Sequence, residues 1–195
     1  MNKRDMFLVG AAAGVVAGGL TWLITRVVTE PRGVVPLVIG EPFPTVSGTL
    51  LSGEPFTVPD DIAGDIGLLL LGWDYAARFD VEAWARFLME TYGEQPGLVT
   101  LEMPMISGVG PLMRKAIDAA MVRGTAPEER SHVLTIYGDL RGLRRRLSVT
   151  QPRHAQVFLL GRTGRVAWRA SGPPTEELKT SITLALAAQG VEPRE

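Results

Sequence analysis

Residues 156–172, QVFLLGRTGRVAWRASG, leave little choice in how the end of this chain folds. Gln156 to Leu160 is a short apolar run without polar alternation, as a strand covered on both faces requires. Gly161-Arg162-Thr163-Gly164 follows, and its glycines can take the positive φ of a tight turn. Arg165 to Ala170 then alternates, with Val166, Trp168 and Ala170 expected on one face and Arg165 and Arg169 on the other. An amphipathic helix is expected directly afterwards, from Thr175 to Ala188. Buried strand, turn, half-exposed strand and closing helix together form a ββα unit that must lie against a larger sheet.

Upstream, the pattern supplies that sheet. Thr45–Leu51 and Pro55–Val58 flank Ser52-Gly53-Glu54 and read as a hairpin. Asp65–Gly72 (DIGLLLLG) is a continuous apolar run, the mark of a central strand. Asp80 is placed to cap a helix running to Tyr92, with Val81, Trp84 and Leu88 on one face and Gly93 as its stop. Leu98–Met103 reads as a strand. Gly110-Pro111 opens a helix to Val122 with Leu112, Ile117 and Met121 expected inward. His132–Tyr137 reads as a strand, and Asp139 is placed to cap a short helix to Leu147. Strands alternating with helices, closed by an antiparallel hairpin, predict an α/β domain of three layers.

Among 195 residues there is no cysteine, which removes disulfides, thiolate nucleophiles and cysteine-held metals together. A net charge of −1 gives no footprint for nucleic acid. No cofactor is expected.

Hydrophobic content reaches 46% because of the N-terminus. Met6 to Val28 is apolar except for Thr21, Thr25 and Arg26. At about 1.5 Å per residue such a run crosses a bilayer core of about 30 Å. It is too long for a secretory signal and lacks a small-residue cleavage site after it. Gly10, Gly14 and Gly18 fall on one helical stripe, where close contact with another membrane helix would offset their poor helix propensity. The expected organisation is an anchor at 1–28, a Pro/Gly-rich linker at 29–44, the α/β domain at 45–190 and a tail at 191–195. Because only Met1–Asp5 precedes the span, the N-terminus is expected in the cytoplasm and the domain outside, in the periplasm, on a single-pass inner-membrane protein.

The stretch GEPFPTVSGTLLSGEPFTVPDDIAGDIGLLLLGW resembles the opening of membrane-anchored thioredoxin-like proteins of the peroxiredoxin and cytochrome-maturation type. Residues from about Pro42 to Ala188 are similar to the mitochondrial ATP synthase assembly factor ten family. The residues carrying this likeness are FPTVSGTLLSG, Trp84, MRKAIDAAMVRGTAPEERSH and VFLLGRTGRVAWRASGPPTEEL, with Gly161 where that family typically has an acid. The resemblance implies a thioredoxin-like fold and a role in assembling a membrane complex. Redox-active members of the fold open the helix after the central strand with CxxC and set a cis-proline before the hairpin; here those places read GWDYAARFDVEAW and Ala155.

Other chemistry has few residues to use. Met103 and Met105 form a Met-x-Met pair that could hold Cu(I), or simply fill the core. Asp74, Asp80 and Glu82 lie near the place of the missing thiols, but no hydrolase pattern accompanies them. Arg141, Arg144, Arg145 and Arg146 form a basic cluster, either a solvated face or a contact for an acidic partner or lipid. The expected protein is non-catalytic: an accessory subunit or assembly factor bound to an integral membrane complex (ATP synthase, respiratory complex or photosynthetic reaction centre with antenna) and to the bilayer. A copper chaperone or an enzyme on the same fold is the alternative. With no sulfur nucleophile, the purified protein will not catalyse insulin reduction by dithiothreitol above the uncatalysed rate.

Overall fold

The computed structural model describes residues 36–194. The apolar run with Gly10, Gly14 and Gly18, and residues 29–35 of the linker, lie outside the described residues. Among the described residues no helix is long and apolar enough to cross a membrane.

Seven strands form one sheet: β1 (Val46–Leu50), β2 (Pro55–Val58), β3 (Ile66–Gly72), β4 (Leu98–Ser107), β5 (Leu134–Gly138), β6 (Gln156–Leu160) and β7 (Val166–Ser171). Their order is β2-β1-β5-β4-β3-β6-β7. β3 runs parallel to β4 and antiparallel to β6, and β4 runs parallel to β5. Among the described residues four helices connect and cover them: α1 (Arg78–Thr91), α2 (Pro111–Gly124), α3 (Arg141–Arg146) and α4 (Glu176–Ala187). Thr175 caps α4, its Oγ1 accepting from Leu178 N at 3.3 Å.

Alternation along the strands divides the core into two. On one face Leu69, Leu71, Met103, Met105, Phe158 and Leu160 pack with Leu140 and Leu147, which flank α3, and with Leu37 and Phe43 from the N-terminal approach. On the other, Ile66, Leu68, Leu70, Val157 and Leu159 lie under Trp84 and Leu88 of α1 and Ile182 and Leu186 of α4. α2 rests on a small separate cluster with Leu51, Met121 and Val133. These are the three layers that the sequence predicts. Gly48 of β1 is required by the packing, because a Cβ there would stand 2.5 Å from the Thr135 carbonyl oxygen.

Four local expectations need correction. α1 starts at Arg78, before Asp80, whose carboxylate is used elsewhere; the turn ahead of it is capped by Asp74 instead, with Oδ1 accepting from Ala76 N at 2.9 Å. Leu112 does not point inward but is 84% exposed in the first turn of α2. A 3₁₀ turn, Pro127–His132, delays β5 to Leu134. Finally, a register shift between Leu159 and Leu160 puts Val166 and Trp168 into different halves of the core. Arg169 is consequently half-buried over the Phe158 ring, 5.1 Å from its centroid, and desolvation pulls its pKa below the ordinary arginine range.

Trp84 ties α1 to the hairpin. It is fully buried, its Nε1 donates to the Gly172 carbonyl at 2.8 Å, and its ring meets Trp168 edge-on at 6.2 Å. Trp84→Phe keeps most of the apolar volume but leaves the buried Gly172 oxygen without a donor. It is expected to lower unfolding stability by about 1–3 kcal/mol, read as a lower urea midpoint at unchanged m-value.

Candidate functional site

The segment leaving the C-terminal end of β3 is where the resemblance to redox-active thioredoxin-like proteins would put a CxxC. A 3₁₀ turn, Tyr75–Ala77, leads into α1. Tyr75 and Phe79 are exposed there, and the Arg78 guanidinium lies over both rings, 4.3 and 4.5 Å from their centroids. One turn into the helix, Asp80 points back to the loop before β6. Its Oδ2 accepts from Ala155 N at 3.2 Å and lies 2.9 Å from His154 Nδ1. A carboxylate therefore fastens α1 to the residue before β6. Asp80 and His154 make an acid–imidazole pair, but with no thiol in the chain the pair has no sulfur to activate.

Beside this site a cleft of about 580 Å³ opens between α1, α2 and the ends of β3 and β4. Trp73, Arg78, Met113, Ile117 and Met121 line it, with Glu102 at its floor. Glu102 also lines a smaller cavity of about 180 Å³ with Glu129 and His132. Burial, reinforced by Glu129 and Glu82, pushes its carboxyl up to about 8. Glu82 and Glu129 are themselves shifted upward, in each case first by burial. His132 is held by Thr100, with Nδ1 3.2 Å from the carbonyl, and lies 3.5 Å from Glu94. Among the described residues no group of three or more His, Cys, Asp or Glu side chains is arranged to hold a metal ion.

The residues singled out in the sequence fall in separate places. Met103 and Met105 are buried with Leu69, Leu71 and Phe158, on the sheet face opposite to Asp80 and α1, and their thioethers fill core volume. The arginines lie on α3, far from the Asp80 site in the fold. Arg141 makes a paired contact with Asp139 through Nε at 2.8 Å and Nη2 at 2.6 Å, which holds the Asp139 carboxyl down at about 2. Arg144 donates to the Val149 carbonyl at 3.2 Å, and Arg146 pairs with Glu41 at 3.0 Å. Sequence reasoning missed Glu102 and the Asp80–His154 pair. The first left a signal, one acid in the otherwise apolar LVTLEMPMIS of β4; the second spans 74 residues and left none.

No family model matches the chain, and no curated protein matches it in sequence. Solved structures do share its backbone. A candidate electron transfer protein from Aquifex aeolicus VF5 superposes with a TM-score of 0.56 at 10% identity, covering 78% of this chain and 99% of that one. A candidate protein disulfide isomerase from Bacteroides thetaiotaomicron gives 0.54 at 15% identity, over 80% of this chain and 91% of that one. The exposed lipoprotein thioredoxin Etrx1 from Streptococcus pneumoniae gives 0.52 at 12% identity, over 74% of this chain and 99% of that one. The class is therefore a thioredoxin-like α/β domain. This chain has no cysteine.

Glu102 makes stability depend on pH. Unfolded, its carboxyl has the usual value of 4.5; folded, about 8. Between those values folding takes up a proton, so this contribution is complete below pH 4.5 and is lost as pH rises towards 8. The slope is at most about 1.4 kcal/mol per pH unit. Glu102→Gln is expected to flatten it, seen as urea midpoints that converge at low pH and separate in favour of the variant by pH 8.

Proposed function

We propose that this chain is a non-catalytic accessory subunit or assembly factor of a membrane energy-transducing complex. Residues 6–28 anchor it as a single span in the inner membrane, with the domain on the periplasmic side. The thioredoxin-like domain is its docking module. The observation that carries this reading lies at the start of α1: the chain has no thiol, and Asp80 joins α1 to Ala155 and His154. A junction without a thiol supports binding rather than thiol–disulfide turnover. The apolar run supports a membrane partner, and the likeness to the ATP synthase assembly factor ten family supports a bioenergetic one.

The test is purification of the tagged full chain from native membranes in mild detergent, followed by native electrophoresis. Co-migration with the subunits of one such complex in fixed ratio supports the reading, and migration alone overturns it. Gly14→Leu would hold a neighbouring helix away from the glycine stripe. It is expected to reduce co-purification several-fold while leaving the tryptophan fluorescence of the domain unchanged.

A further inference from the structure

The chain joins its domain directly against the arginine-bearing helix. Leu37 N donates to the Arg146 carbonyl at 2.8 Å, and the Leu37 carbonyl accepts from Arg169 Nη1 at 3.1 Å. Arg165 Nη1 donates to the Gly40 carbonyl at 2.7 Å. Leu37 is only 2% exposed, yet the next two residues turn outward, Val38 at 55% and Ile39 at 61%. Two aliphatic side chains thus stand in water beside a helix carrying Arg141, Arg144, Arg145 and Arg146, with Arg165 nearby. Asp139 and Glu41 are the carboxylates paired within this patch, to Arg141 and Arg146, and the guanidiniums outnumber them.

The position of the patch relative to the apolar run narrows what it meets. Only the eight residues 29–36 separate Val28 from Leu37. Fully extended, they reach about 28 Å, less than the width of a small domain's diameter. Exposed aliphatics rimmed by arginines are the composition that lies well at a lipid–water boundary: the aliphatics enter, and the forked donors take phosphate oxygens. A tether this short also raises the local concentration of headgroups around the patch, so contacts too weak to recruit a free protein suffice here.

We propose that Val38, Ile39 and the arginines of α3 form a membrane-seating face that rests on anionic phospholipid headgroups. This rests on the reading of residues 6–28 as an anchor. It fixes the domain's attitude, since α3 and α1 cover opposite faces of the sheet. With α3 against the bilayer, α1 and the Asp80 junction face away from it.

The absence of native cysteine makes the test direct, because a cysteine introduced at one position takes a single label. Full-length Ile39→Cys, carrying an environment-sensitive fluorophore, is reconstituted into phosphatidylcholine vesicles with and without phosphatidylglycerol. Leu184→Cys serves as control, 68% exposed on α4. The Ile39 label should shift to the blue and lose acrylamide quenching several-fold in the anionic vesicles alone. High salt should reverse this, and so should the combined Arg141→Ser, Arg144→Ser and Arg145→Ser variant, while the Leu184 label stays quenched throughout. Vesicle flotation separates the two readings. A chain that fails to float has no anchor, and both readings fall. A chain that floats with its Ile39 label equally quenched in both lipids keeps the anchor and overturns the seating face. Protection in native membranes but not in anionic vesicles overturns it in favour of a protein partner, and protection that survives both salt and the triple variant removes the arginines from the contact.

Discussion

From Ile66 to Leu71, β3 has no residue in contact with water. A strand can be dry on both faces only if helices or chain cover both, and only if strands on either side satisfy its backbone. β4 and β6 supply the backbone partners; α1 and α4 cover one face, α3 and the 37–43 segment the other. The approach to the domain is thus core material: without Leu37 and Phe43, the face carrying Leu69, Leu71 and Phe158 would lie open. The same demand explains why β6 also reads as continuous apolar residues while β7, at the sheet's edge, does not.

Residues at the C-terminal end of such a central strand meet a helix N-terminus and the loop before the hairpin, a junction that accommodates many chemistries. Here it holds a guanidinium between two aromatic rings and a carboxylate that reaches across to a backbone N–H. Both arrangements join neighbouring segments. The ionisable group with the most perturbed environment among the acids, Glu102, lines the cleft, where burial and two further glutamates push its carboxyl up to about 8. A neutral carboxyl donates a hydrogen bond as well as accepting one, which gives the apolar cleft a polar point at its floor.

The sequence showed most of the frame. The apolar run of β3, the turn at Gly161–Gly164 and the capped final helix were legible because each is specified by neighbours within a few residues. Asp80 was misread for the opposite reason. A carboxylate near a helix start satisfies the capping rule wherever it is, and only tertiary contact decides that His154 and Ala155 claim it. Strict alternation puts Trp168 and Val166 on one face because it assumes an unbroken register, and the irregularity between Leu159 and Leu160 adds a residue that no pattern announces. Leu112 shows a third limit: periodicity finds the apolar stripe of α2, but the first turn extends beyond the body it covers.

The attachment of residues 37–43 also has a mechanical side. Leu37 to Arg146, Gly40 to Val166, Val166 to Glu41 and Phe43 to Gly164 are backbone bonds, and Arg165, Arg169 and Arg146 grip the same segment through their side chains. Tension arriving along the chain from the N-terminal side is therefore spread over the hairpin and α3 before it can reach β1. The segment is built as a strain relief, as the collar is where a cable enters its plug: a pull applied ahead of Leu37 would meet the hairpin and α3 before the first strand of the sheet.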